Sequence, residues 1–277
     1  MISPDLHSLG FDYPEWEDLV RAVIDTRFPT IIREGTFAAV GLHQDAEGAG
    51  LLVTRYYDGA TYTFPALRGT PGHDVAAVLV DDTITLFELY SPDYPDVPAR
   101  TLIAYVDDPF MYDRWESGDD EEYTGYEDYR LSAVAKKMAV YSSWEEWNGG
   151  REVNDNGVMR PVAKDDPLVG DQLILSVSLA IHGEEFEAGE VDNLTPDVIL
   201  RGTVRTAELV ANALTGQKWW RCEVDCGFLI TLALPGDIDP APAPGTLVDG
   251  QALLLGSTGF WEDKEPGVYQ LRGQGEL

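Results

Sequence analysis

From residue 36 to 105 the apolar side chains of this chain recur at every second position, in short runs broken by turn residues. A period of two places alternate side chains on opposite faces of a strand, so this region can build a sheet and cannot build a helical bundle. The runs 36–42, 50–57, 60–65, 75–80, 83–90 and 99–106 are the predicted strands, and Asp58-Gly59 and Gly69-Thr70-Pro71-Gly72 mark turns between them. Val75–Val80 and Thr83–Tyr90 flank Asp81-Asp82 as a tight hairpin. Successive hairpins give an antiparallel sheet with one apolar face to cover. The spacing predicts a helix over 12–27 for that purpose. Asp12 and Glu15 are placed as a capping box, Pro14 sits in the first turn, and Trp16, Leu19, Val20, Val23 and Ile24 form one stripe before Pro29.

Residues 107–129 interrupt the alternation. Asp107, Asp108, Asp113, Asp119, Asp120, Glu121 and Glu122 are interleaved with Phe110, Tyr112, Trp115, Tyr123 and Tyr126, and Arg114 is the one base. Val134, Met138 and Tyr141 then share a helical face, which predicts a short helix over 131–142. Turn-rich residues 151–170 mark a boundary, giving a helix-plus-antiparallel-sheet domain over 1–160 and a second domain over 161–277. The second part reads as strand and turn only. Val198–Val210 is a long strand with a bulge or bend at Gly202, followed by strands 217–224 and 228–233. A Pro-rich connection over 235–244 leads to a returning strand at 246–255. Three meandering strands, an excursion and a return are the economy of a small OB-like barrel. The expected class is therefore α+β, predominantly antiparallel β.

Arg201-Gly202-Thr203-Val204, Glu208, Asn212 and Thr215-Gly216, with the aromatic strand that follows, resemble the C-terminal segment of a family of uncharacterised, acidic, cytosolic actinobacterial proteins. Gly10-Phe11-Asp12 and its Trp-containing helix are similar to the start of the same family. The resemblance implies no activity.

Composition narrows the function. Forty-nine acidic residues face 19 basic ones, a formal net charge of −30 on 277 residues. Residues 1–150 carry 28 acids and 10 bases, and 151–277 carry 21 and 9, so the excess is spread along the chain. Such a surface repels phosphate backbones and anionic membranes, and attracts a cationic partner. No nucleic acid and no membrane are expected. No apolar run approaches the length of a membrane span, and the first residues have no basic–apolar signal pattern, which predicts a cytoplasmic protein. Cys222 and Cys226 lie about 13 Å apart on an extended strand, too far for a disulfide, and two thiols are two ligands short of a zinc site. No metal and no cofactor are expected.

Two stretches are candidate sites. Trp115, Asp119, Asp120, Glu121, Glu122 and Tyr123 have the chemistry to dock a basic protein, with carboxylates meeting Arg or Lys and aromatics supplying area. An immunity-type protein or a nucleic-acid mimic is a special case. The competing view folds those aromatics back on the core. Trp219, Trp220 and Arg221 form the second candidate: on a strand one Trp faces in and one out, and an outward Trp beside Arg can stack a ligand in a cleft between the two domains. That route leads to a small-molecule-binding protein or an enzyme, and its competitor is simple packing. His73-Asp74 has the composition of an oriented base, but sequence neighbours on a strand point to opposite faces.

Overall fold

The computed structural model describes residues 3–32, 36–92, 94–115, 123–155, 158–166, 169–187 and 194–271. These residues are mostly strand with four helices, an α+β arrangement of large β content. Two helices come first, α1 (Pro4–Ser8) and α2 (Trp16–Ile24). Helix α2 is shorter than the stripe predicts. Its N-cap is Glu15, with no side-chain cap bond, and Asp12 is instead taken by His7 Nδ1 at 2.8 Å, so no capping box forms. Leu19 and Val23 are buried, while Trp16 and Ile24 at the ends of the stripe stay about half exposed.

Strands β1 (Thr30–Ile32), β2 (Phe37–Gln44), β3 (Ala49–Tyr56) and β4 (Thr61–Leu67) follow. Then come β5 (Thr70–Asp81), β6 (Ile84–Ser91), β7 (Tyr94–Val106) and β8 (Thr124–Tyr141). Helix α3 (Trp144–Asn148), the hairpin β9 (Glu152–Asp155) and β10 (Val158–Pro161), strand β11 (Leu173–Ser176) and helix α4 (Val177–Glu187) connect to the last strands. These are β12 (Asp197–Ala211), β13 (Lys218–Asp225), β14 (Leu229–Pro235), β15 (Leu247–Ser257) and β16 (Val268–Gln270). None of the described helices is long and apolar enough to cross a membrane.

One sheet has the order β16-β1-β2-β3-β4, with β16 parallel to β1 and the other pairs antiparallel. It buries both faces. Ala49, Leu51 and Leu67 pack with Leu19 and Val23 of α2, as the stripe predicted; Val40, Leu42, Leu52 and Ala66 pack with Phe110 and Trp261.

The other large sheet has nine strands and closes on itself twice. β5, β6, β7, β15 and β8 form one five-strand cycle, and β12, β13, β14, β8 and β15 form another. In each cycle the first three strands meander antiparallel and the third runs parallel to a strand from the other half of the chain: β7 beside β15, and β14 beside β8. β8 and β15 pair antiparallel over Arg130–Tyr141 and belong to both cycles. The unit β5-β6-β7-β8 is thus repeated by β12-β13-β14-β15, each lending its fourth strand to the other. Strands from both sides of residue 160 share one continuous core, which includes Leu89, Leu102, Leu131, Ala133, Val204, Val224, Leu232 and Leu254.

The helix expected over 131–142 is strand β8. Leu131, Ser132, Ala133, Val134 and Ala135 are all buried. The odd residues enter the shared core, Val134 faces the opposite layer with Trp219, and Ser132 Oγ donates to Leu67 O at 3.0 Å. Ladder bonds to β15 on one side and to β5 and β14 on the other outweigh the helical spacing of three side chains. The region after 160, expected to be strand and turn alone, also contains α4, kinked at His182. Gly202 marks a close approach rather than the bulge: a Cβ there would lie 2.6 Å from Asp225 O, and the register shift falls between Val204 and Thr206.

Candidate functional site

The acidic–aromatic stretch begins at the end of β7. Asp108 is fully buried, and its Oδ2 accepts from Thr258 N at 2.9 Å and Thr258 Oγ1 at 2.6 Å. The Asp107 carbonyl accepts from Trp261 Nε1 at 2.8 Å, and its side chain accepts from Ser257. The Oδ1 atoms of both carboxyls are sealed from solvent and meet no donor geometry among the described residues. Burial, and then the charge of Asp108, lifts Asp107 well above the usual carboxylate range. Burial raises Asp108 too, against the pull of the Thr258 bonds. Asp108 has the better donors, and the upward push is the stronger on Asp107. Tyr112 and Tyr129, with hydroxyls 2.9 Å apart, stand over the pair. Arg130 clamps Glu262 in two bonds of 2.7 and 2.8 Å at the rim of the same site.

The aromatics of this stretch turn inward. Phe110, Tyr112 and Tyr129 are buried, and Trp115 and Tyr123 are half-buried against Val78, Val80, Ile84 and Ile103. Asp119, Asp120, Glu121 and Glu122 lie outside the described residues. Trp115 and Tyr123 therefore meet in one apolar cluster. Arg114 pairs with Asp82 at 3.0 Å and anchors the strand end to the β5–β6 turn.

Trp219, Trp220 and Arg221 lie on β13. Trp220 points toward the shared core and is half-buried. Trp219 points to the other side, yet it is the more buried, at 0% exposure, because the N-terminal segment covers it with Leu9 and Phe11. The joint is specific. Asn212 Nδ2 donates to Leu9 O at 2.9 Å, Thr215 Oγ1 donates to Gly10 O at 2.6 Å, and Gly10 has φ +72° with space for no side chain. The Gly10-Phe11-Asp12 and Asn212…Thr215-Gly216 motifs are thus two halves of one contact.

Arg221 shares the face of Trp219 but reaches open space. It lines a cleft of about 540 Å³ with Arg68, Thr70, Thr206, Glu208 and Glu223. Its guanidinium holds Glu208 at 2.7 Å and Glu47 at 3.2 Å, Thr206 donates to Glu223 at 3.0 Å, and Thr70 meets Thr231 at 3.0 Å. Neither tryptophan lines it. The Arg68–Gly72 segment, read from sequence as a plain turn, supplies one wall.

The histidines hold structure together. Burial pulls His7 down, but its bonds to Asp12 and Asp237 prevail and raise its proton affinity. Burial lowers His43 and His73; His73 Nε2 meets Leu229 O at 2.9 Å while Asp74 points out to solvent. Cys222 and Cys226 are free and buried, and burial pushes both thiols up to about 12. Among the described residues, no group of three or more His, Cys, Asp or Glu is placed to hold a metal ion. Sequence reasoning missed one assembly: Trp147 lies between the guanidinium groups of Arg151 and Arg201, at 4.1 and 3.8 Å, and donates to Asp249 at 2.9 Å. Trp147 and Arg201 are 54 positions apart, and only β12 and α3 in place bring them together. No family model, curated protein or solved structure matches the chain.

Proposed function

We propose that this protein is a non-enzymatic acidic interaction module whose partner is a basic protein. The observation that carries this reading is the allocation of its cations. Among the described residues, ten bases, from Arg21 to Lys264, are tied to the chain's own carboxylates. The surplus of 30 negative charges is left to set the outer field, and such a field steers a cationic surface into contact and repels a polyanion. The corner where Arg114 meets Asp82 is the seat we favour, with Asp119, Asp120, Glu121 and Glu122 close by in sequence, in a cytoplasmic setting. The test is retrieval of a partner from the native cell extract, elution by salt, and titration of the purified pair. Binding near or below about 10 μM at physiological ionic strength, weakening with salt and on neutralising Asp119, Asp120, Glu121 and Glu122, supports the module. Absence of any salt-sensitive partner refutes it.

The Arg68–Arg221 cleft favours a second reading, a small-molecule site between elements of the two chain regions. A thermal-shift screen of polar metabolites decides it: a hit lost in Arg221→Ala supports the cleft, and no hit removes it. We also read the two five-strand cycles as OB-like barrels, the second completed by β8 of the N-terminal region; the meander and parallel closure support that assignment.

A further inference from the structure

β4 ends the five-stranded sheet, and its outer edge is only partly closed. Tyr56 N donates to Ala60 O at 2.8 Å and Arg68 N to Gly48 O at 2.9 Å, which fixes the hydrogen-bonding phase of the β3–β4 ladder. In that phase Tyr62 and Phe64 bond to β3, while Thr61, Thr63, Pro65 and Leu67 direct their backbone groups outward. Leu67 O is taken by Ser132, and Pro65 has no N–H to offer. Thr61 and Thr63 keep outward N–H and C=O groups with no backbone partner among the described residues.

The side chains beside this edge have a consistent chemistry. Tyr56 and Tyr62 meet edge to face at 5.5 Å, and Phe64 meets Tyr105 at 5.2 Å. Tyr62 is 53% exposed. Burial first, then the charges of Asp197, Asp5 and Asp81, raise the proton affinity of Tyr105; Asp197 is paired with Lys136, and Asp5 and Asp81 are in no ion pair with a base among the described residues. Asp82 accepts from the Tyr56 hydroxyl at 2.7 Å.

We infer that the free edge of β4 receives an extended segment of the partner carrying Arg or Lys at every second residue. This rests on the interaction-module reading and specifies its seat. An added antiparallel strand offers donors and acceptors at a two-residue repeat of about 6.8 Å, matching Thr61 and Thr63. Its side chains on one face then fall over Tyr62 and Phe64, toward the Tyr105 ring that meets Phe64 and feels the charges of Asp5 and Asp81, where a guanidinium gains both ion pairing and cation–π contact. A second copy of this chain is the wrong occupant, because pairing β4 with β4 would bring two chains of charge −30 together.

The test uses a fluorescein-labelled octapeptide of alternating Arg and Thr, with a peptide of the same composition in block order as control. Anisotropy titration should favour the alternating peptide, and the Asp5→Asn/Asp81→Asn variant should bind it about tenfold more weakly. Amide exchange at Thr61 and Thr63 should slow on binding, and Thr63→Pro should abolish binding with the melting temperature retained. Salt-sensitive binding without protection of those two amides overturns the edge and leaves the interaction module standing. No binding by either peptide, or self-association through β4, also overturns the edge; the partner retrieval described above then decides the module separately.

Discussion

Replacing Asp107 by Asn removes one of two adjacent buried carboxyls and keeps an acceptor for Ser257. Neighbouring Cα atoms are 3.8 Å apart, so the two carboxyls lie within roughly 4–8 Å. At an effective dielectric near 20 their repulsion is about 2–4 kcal/mol when both are charged. Arg130, already engaged by Glu262, offsets part of this. An acid whose proton affinity is higher in the fold than in the unfolded chain makes the folded state bind more protons between the two pKa values. Stability therefore falls as pH rises through that window, which opens near 3.9 for Asp. Asn cannot ionise, so Asp107→Asn should match the wild type near pH 4 and exceed it by about 1–3 kcal/mol at pH 7.5. Urea unfolding of both proteins at half-unit pH steps measures the difference directly. A variant no more stable than wild type at pH 7.5, or one with the same advantage at pH 4, refutes the raised proton affinity of Asp107.

Trp219→Ala should cost about 3–5 kcal/mol in the same assay. Trp219→Phe should cost far less, since the buried indole N–H has no partner to lose. The thiols of Cys222 and Cys226, pushed up to about 12 by burial, should stay silent to an aromatic disulfide reagent at pH 8 in the folded protein and both react in urea; a fast native thiol contradicts that burial. A fragment of residues 161–277 lacks β8, so β14 and β15 lose the strand between them. It should show no cooperative melt alone and regain one when mixed with 1–160, by circular dichroism.

Much of the fold could be read before the structure was seen, and for local reasons. The hairpin around Asp81-Asp82 is set by alternation and a short polar turn, and β5 and β6 pair there as expected. The same holds for β12, β13, β14 and β15, whose bounds differ by a residue or two from the predicted ones. β8 was misread because its middle is buried on both faces, which erases the period of two and leaves the accidental helical spacing of Val134, Met138 and Tyr141 visible. The sites fared differently. Aromatics at 107–129 advertise contact area, but sequence alone does not say whether that area faces a partner or the core, and Phe110 and Tyr112 face the core. The tryptophan that points away from the shared core is Trp219, and a segment more than 200 positions away covers it.

That cover and the lent strands share a cause. Each four-strand unit leaves a gap that only the other unit's last strand can fill, and β8 must reach the gap beside β14 while β15 reaches the one beside β7. The requirement is carried by Leu131–Ala135 and by Leu254, Leu255 and Gly256, where Gly256 admits the Tyr129 hydroxyl to within 2.2 Å of a would-be Cβ. Side chains at these positions serve two neighbours at once, so their pattern reports the assembly and not either half. The charge is free of that constraint. Among the described residues Asp45 and Asp108 are buried, and Asp108 lies with half-buried Asp107 at the junction where β7, β15 and the Trp261 segment converge.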